Sequence, residues 1–217
     1  MREVWARIEA VLRATAPDLL AALPAGASSE AVAAAERRLD VELPADVRET
    51  YAAHDGSGAD ILPHVAFGLI GVPLLSLAEC ISDRERWLGW WEGGSFDDSR
   101  ADPRGPIRRQ WWCRGWVPVT WDGGGDHLCV DLDPDPGGVP GQVIYFSHEV
   151  GPLEVVAPSW RAYLERYAAD LEAGRLRFEG GELVAAADDA EYAAALGSLI
   201  AEQRHAEPGA AADGGGR

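Results

Sequence analysis

Two groups of residues in this 217-residue chain have the types and spacing that could do chemistry. The first is acidic: Asp122, Asp126, Asp131, Asp133 and Asp135 fall within fourteen positions. Asp131-Leu132-Asp133-Pro134-Asp135 places carboxylates at alternate residues, as the start of a calcium loop does. Such a loop also needs a sixth-position glycine for its sharp turn and a twelfth-position glutamate that gives two oxygens. Pro136 and Gln142 stand at those places, so these aspartates read as turn formers that bond their own backbone. No metal or other cofactor is expected. The second group is aromatic. Trp111 and Trp112, with Trp87, Trp90 and Trp91, flank a loop that also carries Arg108, Arg109 and Arg114. Exposed aromatics among arginines have the composition of a protein-binding hot spot; packing beneath the loop is the alternative.

Catalytic chemistry is hard to assemble from the rest. Ser147-His148-Glu149 are sequence neighbours, and on a strand they would alternate between faces and form no relay. His127 has no nucleophile beside it, and His54 sits where a helix should end, which suits its interaction with the helix dipole. Gly123-Gly124-Gly125 lies between strands rather than at a helix start, so it reads as a hairpin turn and not a phosphate cradle. All nineteen basic residues are arginines. Without lysine there can be no Walker-type loop, no Schiff base and no Ser-x-x-Lys nucleophile. A non-enzymatic protein is expected.

The acidic and aromatic residues must be positioned by a sheet. Residues 111–146 contain three strand-like runs, 116–121, 127–132 and 142–146, separated by breaks rich in Gly, Pro and Asp. In the middle run Leu128, Val130 and Leu132 alternate with His127, Cys129 and Asp131, the period of a pleated strand. Strands joined by short turns form an antiparallel meander. Before it, residues 2–15 carry Trp5, Ile8 and Leu12 at helical spacing. Ser28 and Ser29 are helix-start residues for a segment with Val32, Ala35 and Leu39 on one face. Pro44 opens a helix that ends near Gly56. Residues 61–77 hold one or two edge strands, 77–91 a helix and 92–107 a surface loop. Residues 153–156 supply another strand. Ser159 then caps a helix with Trp160, Tyr163, Leu164, Tyr167 and Leu171 on its apolar stripe. The fold class is α+β: an antiparallel sheet of about five or six strands flanked by N- and C-terminal helices. One domain would span 1–172, a hairpin and helix 173–205, and a disordered tail 206–217.

Charge narrows the partners. The formal net charge is −17 and the sequence pI about 4.6. An anionic surface repels nucleic acid and anionic membranes and suits a cationic protein. No apolar run reaches membrane-spanning length, and three cysteines without a Cys-x-x-Cys pair fit reduced thiols in the cytoplasm. The oligomeric state is open.

Several strings together resemble the SUKH superfamily, in the branch named after fungal regulators of cell-wall glucan synthesis. They are Gly26-Ala27-Ser28, Glu30, Glu36, Leu43-Pro44 and Tyr51-x-x-His54-Asp55-Gly56 in the first half. In the second come Trp116-Val117-Pro118, Gly125-Asp126, Asp131-Leu132-Asp133-Pro134, Gly141-Gln142-Val143-Ile144, His148 and Ala157-Pro158-Ser159-Trp160. The resemblance spans roughly residues 5–167 and implies the same α+β fold. It implies an immunity protein that binds and neutralises a bacterial toxin, possibly a nuclease with a basic surface, or alternatively a hub coordinating glucan synthesis. The lysine-free, Ala/Gly/Arg-rich composition looks like a GC-rich bacterial genome and tips the reading toward immunity. A ligand- or metal-dependent enzyme is the remaining alternative. On this reading Asp122, Asp126, Asp131, Asp133, Asp135, Trp111 and Trp112 form the partner-binding surface.

Overall fold

The structure, a computed structural model, describes residues 1–65 and 69–186. Helix α1 (Arg2–Thr15) buries Val4, Trp5, Ile8 and Leu12, the stripe its spacing predicts. Helix α2 (Pro17–Ala22) is a single short element that the sequence reading left without a structure. It starts with proline, whose fixed φ suits a first turn, and buries none of its residues. In α3 (Ser29–Leu39) the Ser28 hydroxyl accepts the Ala31 N–H at 3.2 Å, and Val32, Ala35 and Leu39 face inward. Helix α4 (Ala45–Ala53) follows Pro44 and buries Val47, Thr50 and Tyr51. Strands β1 (Leu62–Val65) and β2 (Leu69–Val72) pair as an antiparallel hairpin. Helix α5 (Leu77–Glu92) opens with a reciprocal cap between Ser76 and Glu79, which satisfies two N–H groups that the helix itself cannot.

Strands β3 (Trp116–Pro118), β4 (His127–Asp131), β5 (Gln142–Ser147) and β6 (Gly151–Ala157) form an antiparallel sheet in chain order. Helix α6 (Trp160–Glu172) follows, and β7 (Leu176–Glu179) with β8 (Glu182–Ala185) make a second hairpin. The α+β class is as expected, with the eight strands among the described residues divided among sheets of four, two and two. Leu176, Phe178 and Leu183 of the second hairpin join the main core. The helix and tail expected beyond it lie outside the described residues.

The central sheet is buried on both faces. Val117, Leu128, Val130, Val143 and Tyr145 point into the large core shared with α1, α3, α4 and α6. The alternate residues Trp116, Cys129, Ile144 and Phe146 enter a second core with Trp87, Ile107, Trp112 and Cys113. Period-two alternation predicts one solvated face; here α5 and the chain before β3 cover it. Trp112 and Trp116 are fully buried. At roughly 150–250 Å² each, such side chains contribute up to about 4–6 kcal/mol of transfer free energy.

Polar contacts tie the layers. Trp160 Nε1 donates to Thr50 Oγ1 at 3.1 Å, and Tyr163 Oη donates to the Pro63 carbonyl at 2.7 Å, fixing α6 to α4 and β1. Arg84 of α5 is buried and fans into three backbone carbonyls. Nε donates to Trp116 O at 3.2 Å, Nη1 to Leu39 O at 2.6 Å and Nη2 to Arg114 O. A planar guanidinium spreads its donors over three nitrogens and so reaches separated carbonyls that a single ammonium nitrogen could not serve together. It thus joins the C-terminus of α3, the edge strand β3 and the segment before it.

Candidate functional site

The acidic turns are built from the inside. In the β3–β4 connection Asp122 Oδ1 accepts the N–H groups of Gly124, Gly125 and Asp126 at 2.8, 2.8 and 2.9 Å. Gly123 and Gly125 take φ of 85° and 122°, which glycine adopts without strain. Asp126 then turns inward. Its Oδ2 accepts the Tyr145 hydroxyl, and its Oδ1 accepts the His148 N–H at 2.9 Å and meets His148 Nδ1 at 2.7 Å. Burial alone would raise the Asp126 pKa; the hydrogen bonds from Tyr145 and His148 outweigh it and hold the carboxyl below its usual range. Asp131 accepts Gln142 Nε2 at 2.8 Å and the Asp133 N–H at 3.0 Å. There burial prevails over those bonds and pushes the carboxyl up to about 6.

These contacts correct part of the expected surface. Asp126 and Asp131 are 4% and 0% exposed, because strand pairing sets Tyr145 and Gln142 beside them as buried donors. They shape the turns and cannot face a partner. Asp133 remains exposed and pairs with Arg108 at 2.5 Å, while Asp122 and Asp135 are half-buried. Trp112 is wholly buried, stacked on Trp87 at 5.1 Å between ring centroids, so it is a core residue. Trp111 is half-buried and stacks on Phe96 at 5.7 Å. The carboxylates therefore do not converge: Asp122 and Asp126 lie in the β3–β4 turn and Asp131, Asp133 and Asp135 at the β4–β5 turn, at opposite ends of β4, and the two tryptophans lie inside the second core or against it.

The exposed aromatics are elsewhere. Trp90 of α5 is 44% exposed, and Trp121, just after β3, is 38% exposed. Both line an open cleft of about 390 Å³, with Trp87 and Phe96 also in its wall and Arg86 and His148 among the polar groups. Trp87 Nε1 donates to His127 Nε2 at 3.1 Å, and His127 Nδ1 meets the Thr120 carbonyl at 2.7 Å. Those two partners define a neutral ring with its proton on Nδ1, and burial lowers its pKa to about 4. Arg86 pairs with the buried Asp83. Sequence reasoning named Trp90 among the flanking tryptophans but placed Trp121 only at a strand end. Its exposure follows from the glycine turn beside it, a signal the sequence does carry.

The nucleophile and histidine candidates are buried or engaged. Cys80 and Cys113 are buried with thiols pushed up to about 12, and burial likewise raises Cys129 well above its ordinary value, so thiolate is scarce at neutral pH. His148 bonds Asp126 rather than Ser147 or Glu149, so the run Ser147-His148-Glu149 forms no relay. His54 joins Pro24 O and Glu9, a helix-end role. The Asp126–His148 pair escaped the sequence reading, although the β4–β5 register brings Asp126 near the end of β5. Among the described residues, no three His, Cys, Asp or Glu side chains are grouped to hold a metal ion. Nor is any described helix long and apolar enough to cross a membrane.

Comparison with known proteins fits this arrangement. The cell wall biosynthesis/cell cycle regulator smi1 of Schizosaccharomyces pombe is 32% identical over 185 residues, covering 80% of this chain and 36% of the relative. The glucan synthesis regulatory protein of Neurospora crassa is 26% identical over 208 residues, covering 79% and 38%. The cell wall assembly regulator SMI1 of Saccharomyces cerevisiae is 24% identical over 202 residues, covering 78% and 40%. The chain thus spans well under half the length of these curated relatives. They are named as regulators rather than enzymes. Residues 26–166, from the start of α3 through most of α6, match the SMI1 / KNR4 family (SUKH-1), and this chain belongs to that family.

Proposed function

We propose that this chain is a non-enzymatic protein-binding domain that acts in the regulation of cell-wall construction. The observation that carries the reading is its 32% identity, over 80% of its length, to a regulator of cell-wall biosynthesis. The regulator alternative gains from that match. The immunity reading, which rested on the resemblance to the superfamily and on the lysine-free composition, is less well supported and gives way. The partner is a protein with a basic surface, consistent with a net charge of −17, and the three unpaired, buried thiols suit the cytoplasm. The test is a domain exchange in Schizosaccharomyces pombe. The matching region of its smi1 protein is replaced by this chain, and wall glucan per cell and growth under wall stress are measured. Restoration to near the unaltered strain supports the reading. Behaviour like that of a strain lacking the protein overturns it.

A further inference from the structure

We propose that the aromatic cleft beside the Asp122 turn receives an arginine side chain from a basic segment of a partner protein. This rests on the protein-binding reading above and specifies the chemistry of the partner. Trp90 and Trp121 present two large indoles to water, Trp90 held through its ring and Trp121 through its backbone. Trp90 stands edge-on against Trp87, with centroids 5.0 Å apart and planes at 90°. Trp87 is pinned by its bond to His127 and its stack on Trp112. Trp121 sits between two anchored neighbours. The Thr120 carbonyl bonds His127 and its hydroxyl accepts the Leu128 N–H at 2.8 Å, while Asp122 holds three N–H groups of the turn. Aromatic surfaces fixed in this way before contact lose little freedom on binding, which is the mark of a preorganised site. A volume of about 390 Å³ suits one long side chain with its flanking backbone.

Charge selects the occupant. Arg86, the cation of the cleft wall, is already matched by buried Asp83. The residues next along the chain from the cleft wall are acidic, Asp122 beside Trp121 and Glu149 beside His148, on a molecule of net charge −17. A guanidinium stacks on an indole face and still donates in its own plane to carboxylates, which an ammonium does less well. His148 adds a polar group to the wall: its side chain is 43% exposed, with Nδ1 held by Asp126.

The probe is the peptide acetyl-Gly-Arg-Gly-Arg-Gly-amide, titrated into the full chain at low salt and followed by tryptophan fluorescence and calorimetry. Saturable binding is expected, weaker at physiological salt and absent for the peptide with citrulline in place of arginine. Trp90→Ala and Trp121→Ala should each weaken it about 2- to 30-fold while melting as the wild type does. Should either variant melt early, Trp90→Leu and Trp121→Leu replace them, removing the indole face but keeping bulk. No saturation at millimolar peptide, equal binding of the citrulline peptide, or unchanged affinity in the tryptophan variants overturns the proposal. So does quenching by a glucose pentamer in place of the peptide, which would make the cleft a sugar site. Peptide binding alongside a failed domain exchange overturns only the regulatory reading. A working exchange without peptide binding overturns only the arginine site.

Discussion

Replacing Arg84 by methionine preserves the length of the side chain and removes its donors. Leu39 O, Trp116 O and Arg114 O then lose their guanidinium partner. Leu39 and Trp116 are almost wholly buried, so water cannot easily replace it. Each stranded buried carbonyl costs about 1–3 kcal/mol; the third belongs to an exposed residue and can find solvent. Two such groups give a loss of about 2–6 kcal/mol. The wild type also bears the cost of desolvating a guanidinium, which lowers its pKa with a smaller contribution from repulsion by Arg114. Relief of that cost trims the expected net loss to about 2–4 kcal/mol. For a chain of this size about 1 kcal/mol corresponds to roughly 2–4 °C of melting temperature, so the midpoint should fall by about 4–16 °C. Urea and thermal unfolding at pH 7 measure it. Arg84→Lys should lose at least half as much, since an ammonium cannot span three carbonyls. A loss under about 1 kcal/mol in the methionine variant, or full stability in the lysine variant, would refute the account.

Two further predictions concern acid and backbone. His127 has a folded pKa of about 4 against an ordinary 6.5, so its stabilisation is complete above 6.5 and is lost as pH falls toward 4. His64, lowered by burial, acts in the same direction. Asp131, at about 6 against an ordinary 3.8, acts oppositely: its contribution is present below 3.8 and is lost as pH rises through 6. Asp131→Asn should therefore steepen the acid loss of stability between pH 6 and 4, by up to about 1.4 kcal/mol per pH unit; parallel curves in urea melts at each pH would contradict this. Gly26→Ala should cost about 2 kcal/mol or more, because its Cβ would lie 2.0 Å from the Ala52 carbonyl oxygen, backbone that cannot swing aside. Gly89→Ala, in open space on α5, should be neutral or stabilising in the same melts.

Much of the fold was readable because its signals are local. The stripe of α1 and the serine caps of α3 and α6 each need only a few neighbouring residues. The meander announced itself by alternation and by glycine- and proline-rich breaks. Helix α2 stayed hidden because six residues without a buried side chain leave no pattern. The cover over the second face of the sheet was equally silent, since the chain between α5 and β3 has no period. Whether a tryptophan is wet or dry there depends on Trp87, Trp112 and Phe146 meeting from distant parts of the chain. The five aspartates look alike in sequence. Only the pairing of β4 with β5 sets Gln142 opposite Asp131 and turns a surface acid into an interior one.

The central sheet is also closed along its sides. On the β3 side Leu75 N–H donates to Val119 O at 2.9 Å, Leu74 bridges Thr120, and Arg84 takes the Trp116 carbonyl. On the β6 side Arg104 N–H donates to Leu153 O at 2.7 Å, and its guanidinium pairs with Glu154 at 2.8 Å. An extended peptide seeking to lengthen a sheet needs a run of free backbone groups on an outer strand. Here each outer strand is stoppered by another part of the same chain. Part of each outer edge is thereby taken up within the molecule, which hinders growth of this sheet by templated stacking of copies.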